Sequence, residues 1–370
     1  MRSRLVALDI PGGPGFVNAL RDVWDRGDAA FPVDQRLSRG AKAALLATMA
    51  AGVVIDERGD AVPLEDGRPV EPGDALVMAT SGSTGVPKGV VLTHAAVAAS
   101  AVASSARLGV TQDDHWLACL PLAHVGGLGV VTRAMVMGTS LTVLPGFDPE
   151  AVMTVGATHV SLVATALRRI DPAGFRTIVL GGAAAPRDRP PNVVTTYGMT
   201  ETGSGVVYDG RPLDGIELRI DASGQIHVRG PMLLRGYRDG AEALVDGWLA
   251  TGDVGRWLDD GRLHVDGRRG DLIITGGENV WPEPIEAILR ARPDVADVAV
   301  AGTPDEEWGH VVTAFVVPLT GEDVPTLDAL RANVKEHLPP FCAPRRLVVV
   351  AAIPRTALGK VRRGELTQPP

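Results

Sequence analysis

Apolar runs rich in Val, Ile and Leu recur along the first half of the chain, separated by Gly/Pro turns and by Ala-rich stretches. Runs of this kind are typical of strands that are buried on both faces. They predict strands at residues 74–79, 89–93, 115–120, 140–144, 158–163 and 176–180, with helices between them at 94–107, 126–137 and 149–155. This alternation predicts a layered α/β fold with a largely parallel sheet.

The pattern changes from residue 216 onward. Short alternating strands predicted at 216–220, 225–229 and 262–265 are separated by Asp-Gly and Ser-Gly turns, which are hairpin signals. Beyond them the pattern predicts helices at 282–292 and 327–338 and strands at 295–301, 310–318 and 346–350. We therefore expect a large α/β N-terminal domain with a small β-rich subdomain, followed by a compact βαββαβ-like α+β unit.

A turn rich in glycine and charge, at residues 266–271, separates the two parts. We place the boundary after residue 268, which gives an N-terminal domain of residues 1–268 and a C-terminal domain of residues 269–370.

The longest apolar run, residues 43–55, is shorter than the roughly 20 residues of a bilayer span. It predicts a buried helix that leads into a strand, and no membrane span. The basic N-terminus is interrupted by Asp9 and Pro11, so no signal-peptide core forms.

Charge and cysteine content narrow the functional class. The 370 residues carry a formal net charge of −8 and no run of basic residues, which argues against a nucleic-acid partner. Cys119 and Cys342 belong to no CxxC or Cys/His spacing, and we expect both to be reduced and buried in a cytoplasmic protein.

Two of the four lysines, Lys88 and Lys360, lie in glycine-containing motifs. An ammonium is a compact point charge, so the pair indicates two places where an anion is bound.

The first of these motifs runs from Thr80 to Gly89 and reads TSGSTGVPKG, between two predicted strands. Its glycines let backbone N–H groups approach an anion closely, and its hydroxyls add donors. We interpret the segment as a phosphate cradle, although it lacks the GxxxxGK[ST] pattern of a Walker loop. The alternative is a flexible Ser/Gly surface turn, which the lysine, the proline and the tight strand flanks disfavour.

Two further segments carry side chains suited to a nucleotide. In residues 195–202, TTYGMTET, Tyr197 can stack on a base, Thr200 can donate to a phosphate and Glu201 can hold Mg²⁺ beside phosphate oxygens. In Thr251-Gly252-Asp253, the carboxylate can accept hydrogen bonds from ribose hydroxyls. Each segment also has a structural alternative when it is considered alone. The first could be the end of a strand with a solvated glutamate, and the second could be a common Gly-Asp turn.

Two more segments are less specific. Residues 268–279, RRGDLIITGGEN, lie at the domain boundary, where they suit either a hinge or an ordinary interdomain turn. His124, in PLAHVGG, ends a predicted strand and enters a predicted helix. A lone histidine in such a place is more often structural than catalytic.

Taken in order, TSGSTGVPKG, YGMTET, TGD, GRRGDLIITGGENVWP and PRTALGKVRR resemble the signature segments of the adenylate-forming superfamily of acyl-CoA synthetases, peptide-synthetase adenylation domains and luciferases. The resemblance covers residues 75–363. It implies a two-step reaction in which a carboxylate attacks the α-phosphate of Mg·ATP, and a thiol, usually that of coenzyme A, then displaces AMP. It also implies a mobile C-terminal domain that rotates between the two steps.

The resemblance implies a role for each motif residue. In the N-terminal domain, the β- and γ-phosphates would be held by Thr80, Ser81, Gly82, Ser83, Thr84, Gly85 and Lys88. The rest of ATP would be bound by Tyr197 and Gly198 at adenine, Thr200 at the α-phosphate, Glu201 through Mg²⁺, and Asp253 with Arg268 at the ribose. In the C-terminal part, Asp271 would be the hinge, Gly276 and Gly277 would flank the pantetheine tunnel, and Lys360 would reach the acyl carboxylate and α-phosphate during adenylation.

The region before Thr80 is shorter than in typical members of the superfamily, so the N-terminal subdomain looks trimmed. This shortness, the segment GGENVWP and the His124 segment together resemble the o-succinylbenzoate–CoA ligases of menaquinone synthesis. In that family a histidine at the position of His124 lines the acyl pocket, and Gly181, Gly182 and Ala183 would form its floor and an adenine edge. The implied enzyme is an acid–thiol ligase that converts o-succinylbenzoate to o-succinylbenzoyl-CoA with ATP, Mg²⁺ and coenzyme A.

Other functions remain open at the level of sequence. Within the superfamily they are another aryl- or medium-chain acyl-CoA ligase, or a stand-alone adenylation domain that loads a carrier protein. From another class, a non-catalytic nucleotide-binding protein would be expected to have lost residues such as Lys88, Glu201 and Lys360, which are all present. The partners implied are small molecules, and a homodimer is compatible with the sequence.

Overall fold

The computed structural model of the chain describes residues 3–80, 87–182, 189–320, 324–355 and 361–366. Its contacts divide it into two compact units. Unit 1 comprises Met1–Arg219, His227–Ala250 and Leu258–Leu263, and unit 2 comprises Ile220–Ile226, Thr251–Trp257 and His264–Pro370. The final segment of unit 2 begins at His264, near the boundary expected after residue 268. Two segments that lie earlier in the chain also belong to unit 2.

The helices are α1 (Pro14–Asp25), α2 (Arg39–Met49), α3 (His94–Leu108), α4 (Val125–Met137), α5 (Pro149–Thr154), α6 (Ala164–Leu167), α7 (Pro282–Arg290) and α8 (Leu327–Lys335). The strands up to residue 212 are β1 (Leu5–Leu8), β2 (Ala29–Pro32), β3 (Val53–Ile55), β4 (Ala61–Pro63), β5 (Asp74–Thr80), β6 (Lys88–Thr93), β7 (His115–Ala118), β8 (Ser140–Val143), β9 (His159–Leu162), β10 (Thr177–Leu180), β11 (Val193–Met199), β12 (Ser204–Tyr208) and β13 (Arg211–Pro212). The later strands are β14 (Glu217–Ile220), β15 (Gln225–Arg229), β16 (Gly236–Tyr237), β17 (Leu244–Val245), β18 (Trp248–Trp257), β19 (Leu263–Arg268), β20 (Ile273–Thr275), β21 (Glu278–Val280), β22 (Val295–Asp305), β23 (Gly309–Pro318) and β24 (Arg346–Val349).

Unit 1 contains two sheets where the sequence predicted one. The first has the strand order β16-β6-β5-β2-β1-β3-β4, and the second has the order β13-β12-β11-β10-β9-β7-β8. In the first sheet β5, β2, β1 and β3 pair in parallel, and in the second sheet β8, β7, β9, β10 and β11 do so. Antiparallel strands flank both parallel centres, for example β6 on β5 and β12 on β11. The predicted α/β class is confirmed, and the antiparallel edges are an addition to it.

The elements predicted between residues 74 and 180 are present, with ends displaced by a few residues. Their burial explains the absence of alternation, because all four residues of β9 are buried. The helix α3 begins where the Oγ1 of Thr93 accepts a hydrogen bond from Ala96 N, at 3.1 Å. The sequence interpretation missed β1, α1 and β2, although β1 and β2 are fully buried.

A third sheet has the order β14-β15-β18-β17, with β19 paired to β18. The Thr251-Gly252-Asp253 motif lies inside the ten-residue strand β18, which the sequence interpretation had not identified. Gly252 has a φ of 75° within this strand. Gly252 therefore interrupts the extended backbone of β18 at the motif, in a conformation that other residues avoid.

Unit 2 has its own sheet, with the order β21-β20-β23-β22 and β24 paired to β23. The helices α7 and α8 cover it, and their apolar residues pack into one core, formed in part by Ile285, Leu289, Leu330 and Val334, each 0% exposed. The predicted helices and strands of this part are all present. The α+β class of the C-terminal part is therefore confirmed.

Burial tests two further expectations. No helix in the described ranges is both long enough and apolar enough to cross a membrane. Residues 43–55 form the end of α2 and then β3, but the expected burial of the helix is wrong, because only Met49 of α2 is buried and Leu45 and Leu46 are only partly buried against the core. Cys119 and Cys342 are free and buried, as predicted. Burial raises the pKa of the Cys119 thiol to about 12 and also raises that of Cys342.

Candidate active site

The carboxyl ends of the parallel strands gather the predicted N-terminal site residues. In the first sheet, β5 ends at Thr80, and in the second sheet, Gly181 follows β10 and His124 follows β7. Parallel strands present their carboxyl ends at one edge of a sheet, which is where ligands bind in open α/β folds. The alternation of strands and helices thus brings together motifs that are far apart in sequence.

The phosphate motif connects two antiparallel strands. Thr80, at the end of β5, pairs with Lys88, at the start of β6, and Oγ1 of Thr80 donates to the carbonyl oxygen of Lys88 at 3.4 Å. The Nζ atom of Lys88 lies 4.9 Å from the centroid of the Tyr237 ring. Residues 81–86, which include the predicted phosphate ligands Ser81, Gly82, Ser83, Thr84 and Gly85, lie outside the described residues.

The TTYGMTET segment forms the end of β11 and a 3₁₀ turn at Thr200–Thr202. Oγ1 of the fully buried Thr202 accepts from Met199 N at 2.9 Å and donates to Ser204 O at 2.7 Å, which fixes this turn. A Cβ on Gly198 would lie 2.2 Å from Ser204 O, so β11 and β12 can approach here only because the residue is glycine. Gly198 therefore has a packing role of its own, beside the predicted role at ATP.

Glu201 emerges from this turn half-buried and in contact with the segment around β16. The hydroxyl of Tyr237 donates to Oε1 of Glu201 at 3.1 Å, and Leu234 N donates to the carbonyl oxygen of Glu201 at 2.8 Å. Burial, together with the negative charge of Glu201, raises the pKa of the Tyr237 hydroxyl well above its usual value. Tyr237 is therefore a neutral donor to the side chain of Glu201.

Tyr237 was missed in the sequence interpretation. It lies in a two-residue strand between charged and glycine residues, where neither the helical nor the strand period gives a signal. The sequence signal that could have found it is compositional, because the chain has only three tyrosines. A tyrosine among polar residues contributes little to a hydrophobic core, and its hydroxyl usually makes a hydrogen bond instead.

The residues around Glu201 fit a magnesium ion that is held mainly by phosphate. In the part of the chain that the structure describes, no group of three or more His, Cys, Asp or Glu side chains could hold a metal ion. Mg²⁺ in nucleotide sites is usually bound by one or two carboxylates together with substrate phosphates and water. Glu201, whose Oε1 accepts a hydrogen bond from Tyr237, has a carboxylate of the kind that such a site requires, and its role as a magnesium ligand stays a prediction.

His124 lies at the start of α4 and contacts residues that follow β2. Its Nε2 is 3.0 Å from Nη2 of Arg36 and 3.5 Å from Oδ2 of Asp34. Burial lowers the pKa of His124, although Asp34 opposes the shift. For Asp34, burial alone would raise the pKa, but the hydrogen bonds from Arg36 outweigh burial and lower it to about 2. The sequence interpretation missed both Asp34 and Arg36, because only the tertiary fold brings them to His124.

The predicted floor of the acyl pocket continues from β10. Gly181 N donates to Leu162 O at 3.1 Å, and a Cβ on Gly181 would lie 3.1 Å from Oγ1 of Thr196. Gly182 follows with a φ of 84°, and Ala183 lies outside the described residues. The small residues keep the backbone at the edge of the second sheet close to β9 and β11.

In unit 2, the predicted ribose-binding pair is in contact. Nε of Arg268 donates to Oδ1 of Asp253 at 3.2 Å. The side chain of Asp253 is 10% exposed, and its backbone N–H donates to Oγ1 of Thr251 at 3.1 Å. The structure therefore brings together two residues that are 15 positions apart and holds the carboxylate in a fixed place.

Asp271 ends the 3₁₀ turn Arg269–Asp271 and is bound by a residue near the C-terminus. Nη1 of Arg363 lies 2.8 Å from Oδ2 of Asp271, and Nη2 lies 2.7 Å from Oε1 of Glu286 and 3.5 Å from Oε1 of Glu283. One guanidinium thus faces three carboxylates. Burial raises the pKa of Glu283, and the charges of Glu286 and Asp271 raise it further against the opposing effect of Arg363.

Gly276 and Gly277 form the tight turn of the β20–β21 hairpin, in which Thr275 pairs with Glu278. Their φ values are 57° and 85°, the left-handed pair that a type I′ turn requires. A Cβ on Gly276 would also lie 2.6 Å from Cε3 of Trp308. The turn geometry explains both glycines, and their predicted place beside a pantetheine tunnel remains a prediction.

Lys360 lies outside the described residues, as do residues 356–359. The residues that flank this segment are described. Arg355 and Val361 form an antiparallel bridge, and Nη2 of Arg355 lies 2.7 Å from Oδ1 of Asp297. The two ends of the lysine-containing segment are therefore fixed to β22 of unit 2.

Comparison with known proteins agrees with these features. The chain matches the AMP-binding enzyme family over residues 23–238 and the AMP-binding enzyme C-terminal domain over residues 284–360. A Mycobacterium tuberculosis (strain H37Rv) relative named probable 2-succinylbenzoate–CoA ligase is 41% identical over 334 residues, which cover 82% of this chain and 87% of the relative.

Two solved structures of the o-succinylbenzoate coenzyme A synthetase (MenE) from Bacillus subtilis are also similar. One, in complex with the acyl-adenylate intermediate OSB-AMP, has a TM-score of 0.89 and 28% identity, covering 100% of this chain and 89% of that chain. The other, with ATP and magnesium ion, has a TM-score of 0.87 and 29% identity, covering 99% and 90%. On these matches, the chain belongs to the AMP-binding enzyme family.

Proposed function

We propose that the protein is an ATP-dependent 2-succinylbenzoate–CoA ligase that acts through an acyl-adenylate. The observation that carries this proposal is the 41% identity, over 82% of the chain, to a relative with that name. The similarity to a synthetase structure that holds OSB-AMP supports the same substrate and the same intermediate. The required co-substrates are ATP and coenzyme A, and Mg²⁺ is the metal ion.

In the first step, a carboxylate oxygen of the acid attacks the α-phosphorus of ATP. The bond from that phosphorus to the bridging oxygen of the β-phosphate breaks, and pyrophosphate leaves. Lys88 would meet the phosphate oxygens with its ammonium, and Thr200 would donate to the α-phosphate. Glu201 would hold the Mg²⁺, which supplies positive charge to the triphosphate. Such fixed charges accelerate the step because they need no reorganisation when negative charge develops.

In the second step, the sulfur of coenzyme A attacks the acyl carbonyl carbon, and AMP leaves as the thioester forms. The thiol proton is released with it. Asp253 and Arg268 would hold the ribose, and Tyr197 and Gly198 the adenine. The rotation of a C-terminal domain, residues 269–370, about Asp271 would separate the two steps. Gly276 and Gly277 would then flank the pantetheine arm.

Lys360 would act only in the first step. The attacking carboxylate and the α-phosphate repel each other, and an ammonium between them offsets that repulsion. Because the bridge from Arg355 to Val361 fixes the two ends of the lysine segment to the C-terminal domain, a rotation of that domain would carry Lys360 with it. The lysine can then leave the site before the thiol arrives.

The acid itself would be bound on the side of His124. His124, Gly181, Gly182 and Ala183 would line the acyl pocket, with the histidine ring fixed by its contact with Arg36. The small residues leave space for an aromatic ring. Location in the cytoplasm and assembly as a homodimer stay predictions, to be tested by fractionation and by light scattering.

The deciding experiment is ATP–pyrophosphate exchange against a panel of acids, followed by mass spectrometry of the thioester with and without coenzyme A. We expect exchange with 2-succinylbenzoate and formation of its CoA thioester. Turnover confined to fatty acids would overturn the substrate and leave the ligase chemistry in place. Exchange with no acylation of free coenzyme A would point to carrier-protein loading, and no acid-dependent exchange at all would point to a non-catalytic protein.

A further inference from the structure

A short segment of unit 1, residues 234–238, connects the two predicted phosphate-binding motifs. Leu234 N donates to the carbonyl oxygen of Glu201 at 2.8 Å. Further along, Arg235 N donates to Val91 O at 2.9 Å, and Arg238 N donates to Gly89 O at 2.7 Å. The first bond is to the turn that carries Glu201, and the other two are to the strand that begins at Lys88. The backbone of one five-residue segment therefore sets the distance between the two motifs.

The segment is held rigidly on its other side. Nε and Nη2 of Arg235 lie 2.8 Å and 3.0 Å from the two carboxylate oxygens of Asp74, a bidentate pair. Arg238 is 9% exposed and donates to the carbonyl oxygens of Met49 at 3.1 Å and Pro69 at 2.7 Å. The two arginines that flank Gly236-Tyr237 thus fix its position relative to β5 and α2.

The side chain of Tyr237 contacts both motifs at once. Its hydroxyl donates to Oε1 of Glu201 at 3.1 Å, and its ring lies 4.9 Å from Nζ of Lys88. The hydroxyl satisfies one lone pair of the carboxylate and leaves the others for a metal ion or water. The ring attracts the ammonium of Lys88 through its negative face and, unlike a carboxylate, does not neutralise its charge. Both groups are thus held while their full charges remain available to a ligand.

We propose that Tyr237 is a positioning residue that holds Lys88 and Glu201 in one arrangement for a metal–triphosphate ligand. The proposal rests on the assignment of this site to ATP. The hydroxyl orients the carboxylate for the metal ion, and the ring orients the ammonium for the phosphates. Because the two contacts use different parts of the side chain, two substitutions separate them.

The first test is Tyr237→Phe, which removes the hydroxyl and keeps the ring. We expect the Mg²⁺ concentration that gives half-maximal ATP binding to rise by about 10-fold, as for residues that orient a metal ligand. Binding of ATP in EDTA, measured by isothermal titration calorimetry, should stay unchanged. Tyr237→Leu also removes the ring, and we expect its binding of ATP in EDTA to fall by about 3-fold as well.

The matched control is Tyr208→Phe. The Tyr208 hydroxyl is buried and has no hydrogen-bond partner in the described part of the chain, so its loss should leave the Mg²⁺ midpoint unchanged. If Tyr237→Phe and Tyr208→Phe require the same Mg²⁺ concentration for half-maximal ATP binding, the proposal is overturned. Thermal unfolding verifies that each variant is folded. If Tyr237→Leu is unfolded, the Mg²⁺ midpoint of Tyr237→Phe still tests the proposal. Exchange by the wild-type protein with 2-succinylbenzoate tests the proposed function separately from these binding midpoints.

Discussion

Nη2 of Arg36 lies 3.0 Å from Nε2 of His124. A guanidinium can only donate, so at this distance Nε2 must be the acceptor, and the ring proton must be on Nδ1. Arg36 therefore selects the neutral Nδ1–H tautomer of His124. Nδ1–H is then the donor that remains for a ligand in the proposed acyl pocket.

This relationship predicts the effect of Arg36→Met. Loss of the cation, and release of Asp34 to accept from a protonated Nε2, should raise the pKa of His124. Nitrogen-15 NMR of histidine-labelled protein should then show a mixture of tautomers instead of the Nδ1–H form. The variant His124→Gln identifies the signal. A pKa that stays the same or falls would contradict the assigned tautomer.

A second prediction concerns acid stability and the buried His159. Burial lowers the pKa of His159 to about 4, from 6.5, although the nearby Asp114 opposes the shift. Between about pH 6.5 and pH 4, His159 binds a proton in the unfolded chain but not in the folded chain. The contribution of His159 to the free energy of unfolding is therefore complete above pH 6.5 and is lost as the pH falls toward 4. The slope for one proton is about 1.4 kcal/mol per pH unit. Urea unfolding of His159→Gln should have a smaller slope in this window, whereas His310→Gln, at an exposed position, should keep the wild-type slope.

A third prediction concerns the arginine that faces three carboxylates. Arg363→Gln removes the cation that Asp271, Glu283 and Glu286 share in a largely buried place, although Arg290 still lies 3.9 Å from Glu286. We expect a loss of about 3–5 kcal/mol in the free energy of unfolding. The loss should be smaller at pH 5.5 than at pH 8, because burial raises the pKa of Glu283 and its carboxyl group takes up a proton more readily. The control Arg362→Gln removes an exposed pair with Glu365 and should cost less than about 1 kcal/mol. Equal effects of the two substitutions would contradict the account.

A fourth prediction separates the two half-reactions. Lys360→Ala should reduce ATP–pyrophosphate exchange by at least about 100-fold, because the repulsion between the acid and the α-phosphate is no longer offset. Formation of the thioester from supplied acyl-adenylate should remain near the wild-type rate. Lys335→Ala, at an exposed position of α8, is the matched control. Equal loss of both half-reactions in Lys360→Ala would argue against a lysine that acts in one step only.

The sequence predicted most of the elements between residues 74 and 180, because long buried strands and Ala-rich helices have strong patterns. It did not predict that the strands form two sheets, since the partner of a strand depends on contacts that are distant in sequence. Tyr237 was missed for the same reason. Its strand has two residues, and its proposed role depends on contacts with Lys88 and Glu201, which lie 149 and 36 positions away in the chain. Asp253 and Glu201 could be predicted as site residues because short motifs carry them, and their roles stay predictions.

The burial of the two thiols has a practical consequence. With its pKa raised to about 12, Cys119 has almost no thiolate at neutral pH, and Cys342 is 8% exposed with a pKa that is also raised. Maleimide dyes react with thiolates that they can reach, so the native chain contributes little background labelling. One cysteine on the surface of the N-terminal domain and one on the surface of the C-terminal domain would therefore carry the donor dye and the acceptor dye. Energy transfer between the dyes would then follow the proposed rotation in single molecules during turnover.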